Sequence, residues 1–213
     1  MRRTNVLQMG SKGAGWYAKY LAEGQEGFRK FKPPSSFDWT ASSVKRPTAT
    51  FSIRVDKDIL GKVKFELASD IVPKTVDNFR KLCKNEGIKF KGYGGSKLHY
   101  VKKNVAIIGG DIENNDGTGS HSAAESRFFE DENFIIPHSH RGLISMASVG
   151  RNTNGSQFYI DLTASPHLNG RCMVFGRVIE GMEHIDAIEK MFTVRFQPVK
   201  EVVIDSCEYN EAK

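Results

Sequence analysis

The sequence predicts a mostly β architecture, closed or sandwich-like, with two helices and a basic extension before the first strand. Three observations carry this. Short apolar runs of period two recur from about Thr48 onward, only two stretches show a helical period, and the excess positive charge lies upstream of both. An α/β sheet would need a helix for nearly every strand, and the sequence does not supply them.

The elements follow in order. Phe51, Ile53 and Val55 alternate, Asp56-Lys57-Asp58 can turn, and Val63, Phe65 and Leu67 resume the alternation, which makes a β-hairpin. Pro73 suits the first position of a helix, and Val76, Phe79, Leu82 and Cys83 then share one side. Further strands are expected over 98–101, 105–108, 143–147, 158–160, 173–179 and 202–204. A second helix fits Met182 to Met191, with Ile185 and Ile188 inward.

The 213 residues are 39% hydrophobic and 26% charged, which suits one compact domain with an appendage. No apolar run reaches the roughly 18 residues of a membrane span. Cys83, Cys172 and Cys207 are scattered and lack a C-x-x-C spacing. Neither a disulfide framework nor a zinc site is expected, and a reducing compartment is the default. His138 and His140 stand in a polar loop and read as solvated surface histidines. No metal and no cofactor is expected.

The net charge of +6 is local. Residues 1–50 hold nine Lys or Arg against three acids, whereas residues 51–213 hold 22 of each sign. The chain therefore divides into a 1–47 extension and a 48–213 domain. The extension holds both tryptophans, Trp16 and Trp39, with Tyr17, Tyr20, Phe28, Phe31 and Phe37 among glycines. A short helix fits Tyr17 to Glu23, but such a segment closes no core of its own.

Nucleotide motifs do not survive inspection. Gly109-Gly110-Asp111 and Gly117-Thr118-Gly119 lack the spacing of a phosphate loop and read as turns. Asn154-Gly155-Ser156 has the spacing of a glycosylation acceptor, without a secretory signal to make it relevant.

The ordered segments Val72-Pro73-Lys74-Thr75-Val76-Asp77-Asn78-Phe79-Arg80, Gly109-Gly110-Asp111, Asn115-Asp116-Gly117-Thr118-Gly119, Phe129-Glu130-Asp131-Glu132-Asn133-Phe134, Leu143-Ile144-Ser145-Met146-Ala147, Asn152-Thr153-Asn154-Gly155-Ser156-Gln157-Phe158 and Val174-Phe175-Gly176 resemble the cyclophilin pattern. The resemblance runs from about Thr48 to Tyr209. It implies a closed eight-stranded antiparallel barrel capped by two helices. It also implies a peptidyl-prolyl isomerase site that binds extended Pro-containing peptides and cyclosporin.

The same resemblance places that site on particular residues. Twisting an X-Pro amide works against the resonance that sets its barrier of about 18–20 kcal/mol, and the family uses an arginine that follows a histidine. Here the pair is His99-Tyr100, and a neutral phenol replaces a charged fork. Val105 and Ala106 stand where the family floors its proline pocket with Phe and Met, and Ile108 stands for a Gln. His167 and Cys172 match the family's Trp and second His, while Ala147, Gln157, Leu168 and an aromatic at Tyr159 remain. Ser148 completes the expected peptide-binding set.

Little or no isomerase activity is therefore expected, with the domain serving as an accessory subunit of a large assembly. Arg2, Arg3, Trp16, Tyr17, Tyr20 and Trp39 are the candidate docking residues. Protein subunits are the expected partner, RNA contact is an alternative, and a solvated linker is the bland reading. A Pro-containing peptide is expected to bind only weakly. The acid-free N-terminus points to mitochondria, to a respiratory complex or the mitoribosome, with the cytoplasm as alternative. Competing functions are an active folding isomerase and a non-catalytic reader of extended Pro-containing peptides.

Overall fold

The computed structural model describes residues 35–40 and 44–212. Eight strands form one antiparallel, strongly curled sheet: β1 (Thr48–Val55), β2 (Asp58–Leu67), β3 (Tyr100–Lys102), β4 (Ala106–Gly109), β5 (Leu143–Met146), β6 (Phe158–Asp161), β7 (Val174–Glu180) and β10 (Val202–Asn210). Their order across the sheet is β10-β1-β2-β7-β5-β6-β4-β3. The two ends of the order approach each other through the segment just before β3: Gly95 N donates to Ile204 O, Ile204 N to Ser96 O and Leu98 N to Val202 O at 2.7–2.9 Å. Curling in this way leaves little unpaired edge.

The expected alternation fills the interior. Phe51, Ile53, Val63, Phe65 and Leu67 are fully buried, and Phe51 packs against Phe65, Phe79, Tyr93 and Phe158 at centroid distances of 5.1–5.9 Å. Helix α1 (Pro73–Lys84) buries Val76, Phe79 and Leu82 on this core. No side chain caps it from Val72. Instead the Glu132 carboxylate accepts Lys74 N at 3.1 Å and Thr75 N at 3.0 Å, placing negative charge where the helix leaves amides unpaired. Helix α2 (Met182–Glu189) turns inward Ile185 and Ile188 as expected, but ends two residues before Met191.

Several expectations need correction. A small hairpin of β8 (Thr193–Val194) and β9 (Gln197–Pro198) was not legible, because its turn is Arg195-Phe196 and carries neither Gly nor Asn. Cys83 and Cys207, read as unpaired thiols, form a disulfide. They lie 124 residues apart in sequence, and packing of α1 on β10 brings their Cα atoms to 5.1 Å. Only Cys172 is a free cysteine among the described residues. His138, read as a solvated surface histidine, is 1% exposed. Its Nδ1 lies 2.6 Å from Asp161 Oδ2 and its Nε2 3.1 Å from Cys172 O, so the ring is held on both sides. His140 is exposed.

Packing also begins upstream of Thr48. Pro47 O accepts Leu67 N, and Arg46 is 9% exposed. Its guanidinium bonds both oxygens of Asp70, at 2.6 and 2.8 Å, and the carbonyl of Trp39 at 3.0 Å. Trp39, expected as a docking anchor, is 7% exposed. Arg46 and Arg177 lie over its ring at 5.3 and 5.0 Å, so its indole is used within the chain. The other five expected docking residues, and the helix expected near Tyr17, lie outside the described residues.

Candidate functional site

A second apolar cluster sits on the other face of β3, β4 and β6. Successive residues of a strand face opposite sides, so Val101 and Ile107 enter the core while Tyr100, Ala106 and Ile108 do not. The antiparallel register sets Tyr100 opposite Ile108 and Ile108 opposite Tyr159, making one row across three strands. Ala147 follows β5, and Leu168 and Cys172 come from the segment around the 3-10 turn Pro166–Leu168. Val105 packs at the edge. The structure thus brings together eight of the residues expected in the peptide site, four from β3, β4 and β6 and four from the segments that adjoin the strands or surround the 3-10 turn.

The cluster is filled. Its seven buried members are 1–7% exposed, so the chain's own side chains occupy the floor. The β8–β9 hairpin covers one end: the Phe196 ring lies 5.2 Å from that of Tyr100, and Val101 N donates to Phe196 O at 2.7 Å. Lys102 Nζ sits 5.5 Å from the Phe196 centroid. Burial pushes the Cys172 thiol up to about 12, which removes it as a nucleophile at neutral pH. Behind the floor stands the buried His138–Asp161 pair, with Asp161 opposite Ala106 in register.

His99 is not part of this cluster. One residue before Tyr100, it faces the other way and is 6% exposed. Burial lowers its pKa, opposed by the nearby carboxylate of Asp111, so the neutral imidazole is favoured. His167 stands at the exposed rim, its pKa lowered by desolvation and then by the neighbouring His138. Ser148 is 5% exposed beside Arg171, whose carbonyl its hydroxyl reaches at 3.5 Å.

Gln157 is placed by a residue that the sequence reading named only within a turn and a family motif, Asp111. The fully buried Asp111 carboxylate accepts five backbone N–H groups, from Glu113, Asn114, Asp116, Gly117 and Gly119, at 2.8–3.1 Å. These bonds hold its pKa below the ordinary aspartate value although burial acts the other way. They wrap 113–119 around one side chain, and a Cβ at Gly119 would lie 2.5 Å from Asp111 Oδ1. Gln157 Nε2 then donates to Gly117 O and Gly119 O at 3.1 and 2.5 Å. A cavity of about 210 Å³ opens between Gln157, Ala147, Val149 and Phe128. A larger groove, of about 680 Å³, lies at the start of α1 and includes none of the expected site residues.

Residues 50–209 match the family described as cyclophilin type peptidyl-prolyl cis-trans isomerase/CLD. The chain belongs to the cyclophilin family. The match takes in both helices and all eight strands of this cyclophilin domain but for Thr48, Ala49 and Asn210 at the two ends. It leaves the segment that carries Trp39 and Arg46 outside. Among the described residues of the cyclophilin, no helix is long and apolar enough to cross a membrane. Nor does any group of three or more His, Cys, Asp or Glu among them stand ready to hold a metal ion.

Proposed function

We propose that this cyclophilin domain has little or no prolyl isomerase activity and serves as an accessory subunit of a large assembly, joined through its N-terminal extension. The observation that supports the first half is Tyr100. It occupies the position at which the resemblance places the family's arginine, and it is 4% exposed with Phe196 against its ring. A buried phenol offers no charge to a prolyl nitrogen, and one electrostatic donor in such chemistry is worth about a hundred- to a thousandfold in rate. Val105, Ala106 and Ile108 supply no aromatic ring and no amide to orient a peptide, although the ring of Tyr159 stays in the cluster. The second half rests on the extension's charge and aromatic content, and a mitochondrial respiratory complex or mitoribosome is the setting we favour.

Two measurements test this. Turnover of an X-Pro tetrapeptide in a protease-coupled assay is expected near background, and Tyr100→Arg alone is expected to restore less than about tenfold, because the floor stays filled. A rate like that of an ordinary active isomerase overturns the proposal. Deleting residues 1–34, upstream of the packed Trp39, is expected to release the protein from its high-mass complex in native sedimentation. Continued co-sedimentation sinks docking through the extension.

A second reading, a non-catalytic binder of extended Pro-containing peptides, draws on Gln157. Its Oε1 is buried and accepts no hydrogen bond from the chain, beside the small cavity described above. A peptide N–H would satisfy it. Saturable binding of a Pro-containing peptide without turnover, lost in Gln157→Ala, favours this reading.

A further inference from the structure

The groove of about 680 Å³ at the start of α1 has no part in the expected peptide site. Pro73, Ala123, Ala124, Phe128 and Phe129 give it apolar surface, and its size falls in the range of ligand pockets, about 300–1,000 Å³. Its walls are fixed. Asn78 Oδ1 accepts Ala123 N at 2.8 Å and Asn78 Nδ2 donates to Gly155 O at 3.0 Å, while Glu132 holds the first amides of α1.

The charge of the lining is lopsided. Asp77, Glu130, Asp131 and Glu132 stand against two cations, Lys74 and Lys81. Lys81 is set against Asp77 at 2.8 Å, and Arg80, outside the lining, is shared between Asp77 and Glu86. Three carboxylates are then left facing Lys74. Asp131 is held by Asn152 N and Asn154 Nδ2, and Glu132 by the α1 amides, all uncharged donors that leave the negative charge in place. Glu130 is exposed and makes no ion pair among the described residues. An apolar groove with this rim fits a segment that brings apolar side chains and positive charge together.

The path of the chain supplies such a segment. Arg46 holds the Trp39 carbonyl and both oxygens of Asp70, and Asp70 stands three residues before Pro73, at the groove. Three residues span at most about 11 Å, so the extension joins the barrel beside the groove. Lys32 lies seven residues upstream of Trp39, a reach of up to about 25 Å. The stretch Phe28-Arg29-Lys30-Phe31-Lys32 carries two large rings and three cations without an acid. It lies outside the described residues.

We propose that the groove is a docking site for the chain's own residues 28–32, with Phe28 and Phe31 on its apolar surface and Arg29, Lys30 and Lys32 at Glu130, Asp131 and Glu132. Two other occupants fit less well. The same segment of a second copy, or a separate basic partner, has to match a local concentration that a short tether sets on the order of millimolar. An anionic membrane would be repelled by the carboxylates. Seating 28–32 leaves residues 1–27 for another protein, so the proposal stands or falls independently of docking onto an assembly.

The test uses the full chain. A carbodiimide joins a lysine amine to a touching carboxylate with loss of water, and mass spectrometry of the digest identifies the pair. Links from Lys30 or Lys32 to Glu130, Asp131 or Glu132 are expected, within monomers. Limited trypsin digestion gives a second readout. Cleavage after Arg29 and Lys30 is expected to quicken about tenfold in the double variant Phe28→Ser/Phe31→Ser, because the protease reaches only the released segment. Glu130→Gln is expected to quicken it about threefold, the effect of one exposed ion pair. Cleavage after Lys12 and Lys19 is expected to stay unchanged, and far-UV circular dichroism checks the barrel of each variant. The proposal is overturned if no such links form, if they run to carboxylates elsewhere, or if wild type and double variant are cut equally fast after Arg29 and Lys30. Links found only between copies also overturn it, in favour of the segment of a second molecule.

Discussion

Replacing Arg46 by Met is expected to destabilise the barrel by about 3 kcal/mol. The guanidinium is almost wholly buried, with side-chain exposures of 2% for Arg46 and 14% for Asp70. It makes two bonds to that carboxylate and one to Trp39 O, and lies over the rings of Phe37 and Trp39 at 5.7 and 5.3 Å. Removing one partner of a buried ion pair costs about 3–5 kcal/mol, because the other charge stays desolvated. Water reaches Asp70 in part, which favours the lower end of that range. At roughly 2–4 °C per kcal/mol for a domain of this size, the thermal midpoint is expected to fall by about 6–12 °C. Methionine keeps the stem's apolar contacts, so the loss reports the charge and its hydrogen bonds. Adding Asp70→Asn is expected to recover most of the loss, since removing both charges relieves the orphaned carboxylate. Urea denaturation of the two single variants and the double gives the coupling energy. A loss under about 1 kcal/mol for Arg46→Met, or no recovery in the double, would falsify the clamp as a stabilising contact.

The remaining expectations concern the loop and the cross-link. Asp111→Asn is expected to cost about 2–4 kcal/mol at neutral pH, because an amide turns N–H donors toward backbone N–H groups. The folded pKa of Asp111 lies below its unfolded value of about 3.9, so its stabilisation is present above that value and lost as pH falls through the folded one. Wild type and variant are therefore expected to converge in urea midpoint below about pH 4, and a gap that stays constant with pH counts against the carboxylate's role. The Cys83–Cys207 bond spans 124 residues, and closing so long a loop contributes roughly 4–5 kcal/mol in the chain-entropy account. Thermal unfolding with and without reductant measures it. Titration of unreduced, denatured protein is expected to find one thiol, that of Cys172, and three thiols would sink the pairing.

The sequence by itself determined both helices, the strands of the large sheet and much of the apolar core. Phe51, Ile53, Val63, Phe65 and Leu67 announce their burial by alternation alone, and Pro73, Val76, Phe79 and Leu82 announce a helix by theirs. These are local signals, set by the periods of strand and helix, and need no knowledge of neighbours. The motif pattern added the family and so the residues expected at a peptide face, eight of which share one apolar cluster. Tertiary structure alone decided what those residues meet. That Phe196 closes over Tyr100 depends on how a loop 96 residues further along folds back, and Arg195-Phe196 resembles no ordinary turn sequence. His138 looked like a loop histidine because its partners, Asp161 and the Cys172 carbonyl, come from 23 and 34 residues away. Trp39 looked like an anchor for another protein because nothing near it in sequence shows that Arg177 lies under its ring. In each case a polar or aromatic side chain has no fixed preference for inside or outside. Its place follows from the partner that register and chain path deliver to it, and that partner is distant in sequence.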